Sequence, residues 1–327
     1  MSARRTHVAV LALLLALAFC AAPAGAADKP KDFPGRPITI MVGFGAGGSS
    51  DVGVRLLAES LKKIVGQPVL VENKPGAGGQ VMWTDFKINS KPDGYTLALV
   101  NIPQLQTVVF DPTRKAAFKI TDFQPVAQHV DDPGAIFVRT ESPYKTFEDF
   151  IKAAKEKPGQ IKVSSTGIGS DDHLAALDVE RNAKVSFNIV HLKDTPTALK
   201  NVLGGHTDAN FDNVGGFLPA VKSGQGRMLV VFDDKRYADA ADVPTAREKG
   251  IDLISSSARG YVYPAGVPME IVKYMSESIK QAMADPDHVK RMRDSGLSLK
   301  FLGIDDYAKF IEKQNDRAKQ LIGMYRK

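Results

Sequence analysis

Two stretches of this chain combine residue types suited to holding an anion. The first is Gly43, Phe44, Gly45, Ala46, Gly47 and Gly48, followed by Ser49, Ser50 and Asp51 and preceded by the apolar run Ile38–Val42. Its glycines allow backbone angles that a β-carbon forbids and let a ligand approach the main chain. Ser49, Ser50 or Asp51 can cap a helix whose apolar face is Val52, Leu56, Leu57 and Leu61. The first N–H groups of such a helix have no intrahelical partner, and the helix dipole adds partial positive charge there. Phosphate and carboxylate fit this arrangement equally well. The second stretch is Ser164, Ser165, Thr166, Gly167, Gly169 and Ser170, again between a strand and a helix, with His173 at the helix start. Asn101 and Asp212 end two further strands on the same expected edge.

Neither stretch contains an arginine, which points to main-chain N–H groups and hydroxyls as the donors. A carboxylate that leaves water without partners pays a prohibitive cost. Hydrogen bonds to a charged group net roughly 1.5–3 kcal/mol each. About four of them reach the ~8 kcal/mol of a micromolar complex before ordering costs are subtracted. Asp51 would repel the anion, so the expectation is that it caps the helix or orients a loop amide or a water.

These loops sit on a repeating pattern. Strand, loop and helix alternate three times between Ile38 and Val100, the pattern of a parallel sheet with helices on both faces. Ligands gather beyond the carboxyl ends of such strands, where both glycine-rich loops fall. Extended pieces follow at Phe123–His129 and Ala135–Arg139, divided by Asp131-Asp132-Pro133-Gly134. The alternation then resumes through Phe232, with a capping-box helix start at Thr146 and Asp149. The C-terminal section carries two amphipathic helices and few strands, and is expected to complete the first sheet. Domain 1 is thus expected over 27–130 and 233–327, and domain 2 over 131–232. Two crossings, near 127–131 and 231–235, make a hinge over a cleft suited to a small molecule.

The chain of 327 residues opens with Arg4-Arg5, the apolar run Val8–Phe19 and Ala24-Gly25-Ala26, a secretory signal with cleavage expected after Ala26. Cleavage would remove Cys20, the single cysteine, and with it any disulfide or thiolate chemistry. Export without disulfides suits a bacterial periplasm. The formal charge of +6 is mild, and no long basic run or basic–aromatic interleaving is present, which argues against nucleic acid.

Several motifs, taken in order, resemble one family. They are Phe33-Pro34 with Arg36-Pro37, the loop Phe44–Asp51, Gly66-Gln67-Pro68 through Glu72-Asn73-Lys74-Pro75-Gly76-Ala77-Gly78-Gly79, and Pro92-Asp93-Gly94-Tyr95. Gly167, Gly169-Ser170, His173-Leu174, Gly204-Gly205, Val243-Pro244-Thr245 and Pro264-Ala265-Gly266-Val267-Pro268 continue the series. Over nearly all of the expected mature chain this is similar to the Bug-type periplasmic solute-binding proteins of tripartite tricarboxylate transporters. The resemblance implies a two-lobed, class II-like periplasmic binding protein of two α/β domains. It also implies that Gly45–Asp51 and Ser164–Ser170 hold a ligand carboxylate between the lobes, through backbone N–H groups, hydroxyls and waters. The implied partners are a small carboxylate and membrane transporter subunits, with no cofactor and no metal, and the protein is expected to be a monomer. One stretch departs from the family: His191-Leu192-Lys193-Asp194-Thr195-Pro196 stands where a Pro-Tyr-Lys-Gly-like run is usual.

A secreted α/β enzyme acting on a small anion is the competing reading, and a sensor docking on a signalling receptor is a third. The enzyme reading finds little support. Gly43-x-Gly45-x-x-Gly48 has the bare spacing of a dinucleotide loop, but an exported protein would rarely find a nicotinamide cofactor. The chain has no P-loop lysine, no HExxH and no GxSxG elbow.

Overall fold

Alternation decides which face each strand presents, and here both faces are apolar. The computed structural model describes residues 29–325, so the expected signal segment 1–26 lies outside them. The first group opens with β1 (Ile38–Val42), α1 (Ser49–Val65), β2 (Val69–Asn73), α2 (Gln80–Asn89), β3 (Thr96–Ile102) and α3 (Gln104–Phe110). β2 and β3 run parallel to β1 on either side. Ile38, Ile40, Leu97 and Leu99 point to one layer, with Val54, Leu57 and Leu61 of α1. Met41, Ala98 and Val100 point to the other, with Met82, Trp83 and Phe86 of α2. Burying such a side chain contributes about 1.5–3 kcal/mol. The fully buried Trp83 also donates its Nε1–H to the Leu99 carbonyl at 2.9 Å.

β4 (Phe123–Arg139) follows as one strand of 17 residues. The sequence reading divided it at 131–134. Local turn chemistry loses to pairing, because the strand changes neighbours at that point instead of ending. Its first half pairs with β9 (Ser256–Pro264) and β10 (Leu299–Leu302). Its second half pairs with β7 (Ala209–Asn213) and β8 (Gly226–Val231). Pro133, which has no N–H to donate, falls at the switch opposite Ser256, and the Gly134 N–H reaches the Ser255 carbonyl at 2.9 Å.

The second group adds α4 (Phe147–Glu156), β5 (Lys162–Ser165), α5 (Asp171–Ala183), β6 (Asn188–His191), α6 (Thr195–Leu203) and α7 (Val214–Lys222). β5 lies parallel to β6 and β7. The capping box is formed: the Asp149 N–H donates to Thr146 Oγ1 at 3.1 Å, and the Thr146 N–H to Asp149 Oδ2 at 3.0 Å. Ile136 and Val138 of β4 face one core, with Phe150 and Phe211, while Ala135 and Phe137 face the other, with Phe217. The chain ends with α8 (Met269–Met283), α9 (Pro286–Asp294) and α10 (Ile304–Tyr325). Val272, Met275 and Ile279 of α8 join the first group's core, as Tyr307 and Ile311 of α10 do. α3, α9 and β10 are short elements that the sequence pattern did not announce.

In one respect the packing differs from the expected division. Val243, Ala246, Ile251 and Leu253 belong to the second group's cores. The Ser255 N–H donates to the Phe232 carbonyl at 3.0 Å, so the chain passes back to the first group after Ser255, not at 231–235.

Candidate functional site

The loop between β1 and α1 is held from behind. At its exposed tip Gly47 adopts φ +80°, a conformation that disfavours any side chain. The Gly47 N–H donates to Asp51 Oδ2 at 2.8 Å, and Asp51 is only 2% exposed. Asn73 Nδ2 donates to Asp51 Oδ1 at 2.9 Å and to the Phe44 carbonyl at 3.1 Å, while Arg55 Nε meets Asp51 Oδ2 at 3.0 Å. Asp51 therefore orients a loop amide and faces away from the cleft. Burial alone would raise its pKa, but the bonds from Arg55, Gly47 and Asn73 outweigh it and hold the carboxyl below the ordinary range. The second glycine run braces this loop: a β-carbon on Gly43 would lie 2.8 Å from Gly79 Cα.

The loop between β5 and α5 is likewise committed to internal contacts. Ser164 Oγ donates to Asn210 Oδ1 at 3.0 Å, and Ser165 Oγ lies 2.8 Å from His191 Nδ1. Thr166 Oγ1 donates to Asp172 Oδ2. The Gly169 N–H reaches His173 Nδ1 at 3.0 Å, and Ser170 Oγ caps α5 by accepting the His173 N–H at 3.1 Å. Thr107 Oγ1 of α3 donates to the Gly169 carbonyl at 2.8 Å, and Arg114 to the Ile168 carbonyl at 2.7 Å, so the first group grips this loop directly.

Between the loops lies a narrow cleft. Of the residues expected from sequence, Phe44, Gly45, Gly48, Ser49, Ser50, Asn101, Thr166 and Asp212 line it. Ala46, Gly47, Asp51, Ser164, Ser165, Gly167, Gly169, Ser170 and His173 do not; they shape the two loops from their tips or from behind. Beyond that expected set, Gln104, Ser257 and Arg259 from the first group, and Asp171, Asp194, Thr195, Pro196 and Asn213 from the second, also line it. Four of these left a trace: Arg259 is the one charged residue of its strand, and Asp194, Thr195 and Pro196 lie in the stretch that departs from the family pattern. The N-terminal ends of α1, α5, α6 and α7 all meet at this cleft. The lobes are close together, since a β-carbon on Gly48 would sit 3.3 Å from Pro196 Cδ.

Charge is concentrated on one side. Arg259, 3% exposed, pairs with Asp132 Oδ2 at 2.8 Å and donates to Asn213 Oδ1 at 2.9 Å. Asn213 Nδ2 donates to Asp171 Oδ2 at 2.6 Å. Asp212 Oδ1 accepts the Asn213 N–H at 2.8 Å and Thr195 Oγ1 at 3.2 Å, while its Oδ2 is buried with no partner. Burial pushes Asp132 up to about 6 despite Arg259, and Asp212 up to about 7. Burial also raises Asp171, and raises Asp172 further with help from Asp171 and Asp212. Asn101 Nδ2 donates to Ser50 Oγ at 3.0 Å, which leaves its buried Oδ1 unpartnered. Among the described residues no three His, Cys, Asp or Glu side chains converge to hold a metal ion.

Two α/β groups joined through shared strands, with helix N-termini converging on a cleft between them, define a two-lobed solute-binding protein. Similarity to known proteins gives the family. The profile described as "Tripartite tricarboxylate transporter family receptor" matches residues 54–326. A Cupriavidus necator protein, "UPF0065 protein in gbd 5'region", is 33% identical over 319 residues, 96% of this chain and 94% of that one. "Protein BugT" of Bordetella pertussis is 30% identical over 278 residues, 84% of each chain. Among solved structures, MatC of Rhodopseudomonas palustris with bound malate superposes with a TM-score of 0.81 at 27% identity, covering 89% of this chain and all of that one. The chain belongs to the tripartite tricarboxylate transporter receptor family.

Proposed function

We propose that the cleft captures one small carboxylate, and that the receptor delivers it to the membrane subunits of a tripartite transporter. The observation that carries this is the convergence of four helix N-termini, with Phe44, Gly45 and Gly48 of the first loop, on one narrow cleft. Arg259 adds a positive charge that the sequence reading lacked. MatC, with malate bound, supports the ligand class by its likeness in fold and family. Ser49, Ser50 and the Gly45 amide act as the donors, and Gly47, Asp51, Ser164, Ser165, Gly167, Gly169, Ser170 and His173 hold the loops in place. Domain 1 comprises 27–130 with the C-terminal section, and domain 2 begins at 131. The two passages of the chain, at Asp132–Gly134 and at Ser255–Ser257, form the hinge. The protein works as a monomer in the periplasm, exported by its N-terminal segment and cleaved after Ala26. Among the described residues no helix is long and apolar enough to cross a membrane.

The test is a thermal-shift screen of purified protein against organic acids, followed by calorimetry on the best hit. One-to-one binding with the acid recovered unchanged is expected. Turnover of the acid would replace this reading with the enzymatic one.

A further inference from the structure

Consecutive carbonyls of the second loop are bound by the opposite group. Thr107 of α3 is buried and donates from Oγ1 to the Gly169 carbonyl at 2.8 Å. Arg114, in the single turn Pro112–Arg114 that follows α3, donates from Nη2 to the Ile168 carbonyl at 2.7 Å. Its Nη1 donates to the Ala77 carbonyl of the first group at 3.2 Å, so one guanidinium joins the second glycine run to the loop facing it. The donors are held in place by their own group. Buried Asp111 accepts the Thr113 N–H at 3.0 Å and Thr113 Oγ1 at 2.8 Å, which shapes the turn, and Gln80 Nε2 donates to the Arg114 carbonyl at 2.9 Å. A donor fixed in advance loses little freedom when its acceptor arrives. Arg259 also reaches across, to Asn213, but both of these line the cleft, where a ligand competes for them. Thr107 and Arg114 do not line it.

We infer that Thr107 and Arg114 latch the two lobes together: they are positioning residues that set how slowly a captured acid leaves, without touching it. Opening at the hinge exchanges both bonds for water, and closure remakes them. The bonds form whichever acid is held, so they slow the release of every ligand alike and leave the choice among acids unchanged. Differences of this kind fall mainly on the off-rate. The inference rests on the reading of the cleft as a binding site between hinged lobes.

The experiment combines Thr107→Val, which removes the hydroxyl at nearly constant volume, with Arg114→Ala, and uses Thr107→Ser as the variant that keeps the hydroxyl. Thermal melts verify folding. Lobe separation is read first, with no acid added. The chain after Ala26 has no cysteine, so Ile88→Cys and Lys200→Cys, both at exposed positions, place one spin label on each group. The double variant is expected to shift the label distances to longer values, and Thr107→Ser to match the wild type. Release is then followed by stopped flow with a fluorophore on the Lys200→Cys protein, using the tightest-bound of malate, succinate and adipate. It is expected to quicken about tenfold in the double variant, equivalent to ~1.4 kcal/mol. The order of the three acids by calorimetry should not change. Label distances that stay at the wild-type values overturn the inference, as does a Thr107→Ser protein that behaves like Thr107→Val, or an off-rate that does not move. If none of the three acids binds, the carboxylate reading loses its support while the label distances still decide the latch.

Discussion

Replacing Asp51 by Asn tests whether the first loop is held by a buried carboxylate. The side chain keeps its volume, but an NH₂ group then faces either the Gly47 N–H and Arg55 or the Asn73 amide. In the native protein Asp51 Oδ2 accepts Gly47 N–H at 2.8 Å and Arg55 Nε at 3.0 Å, and Oδ1 accepts Asn73 Nδ2 at 2.9 Å. Each charge-assisted bond nets roughly 1.5–3 kcal/mol. The Arg55 side chain is 49% exposed and regains water, so its share is small. Asn73 keeps its bond to the Phe44 carbonyl. The remaining loss is about 2 kcal/mol, which lowers the melting temperature by about 3 °C in a chain of this size. Thermal melts of both proteins across pH check the cause. Because the folded Asp51 pKa is lowered, its contribution is present above the ordinary Asp range, about 3.9, and disappears as pH falls through the folded value. The gap between wild type and Asp51→Asn should therefore close in acid. Calorimetry with the best acid should show at least tenfold weaker binding, since the Gly47 amide has lost its anchor. Equal melting temperatures at neutral pH, or a gap that persists undiminished in acid, would refute the reasoning.

Gly47→Val should abolish acid binding while leaving the melting temperature within a few degrees: φ is +80° with open space around it, so strain falls on the loop and not on the core. Undiminished affinity would remove this loop from the site. A pH effect should come from His129 and His288, whose Nε2 atoms lie 3.1 Å apart. His288 Nδ1 donates to the Leu56 carbonyl, so its Nε2 accepts from His129, whose Nδ1 in turn accepts from the Tyr261 hydroxyl. Burial lowers both pKa values; His288 and Arg259 lower His129 further, while Asp285 and Asp287 oppose burial at His288 and Arg291 adds to it. The unfolded chain then binds protons that the folded one refuses, so stability should fall as pH drops below about 6.5. His288→Gln should flatten that slope in urea titrations; an unchanged slope would show that the pair is not its source.

Local pattern was enough for the alternation of strand and helix, for a parallel sheet over the first three strands and for a glycine loop at a helix start; the order β2-β1-β3 came from the fold. These depend on local periodicity and on φ angles that only glycine accepts, at positions such as Gly47. The sequence also turned Asp51 away from an anion, to cap the helix or to orient a loop amide or a water, because a carboxylate beside an anion is repelled. What it missed depends on contacts between residues far apart in the chain. β4 runs unbroken through Pro133 and Gly134 because partners more than a hundred residues distant take over its hydrogen bonds there. Residues 243–253 pack in the second lobe because apolar side chains follow the available core, whatever their place in sequence. Asp212 was expected at the ligand edge, but its neighbours Asp171 and Asp132, the latter paired to Arg259, read as helix-start and loop residues until folding brings them together. Their meaning comes from burial and mutual repulsion, which exist only once the two lobes face each other.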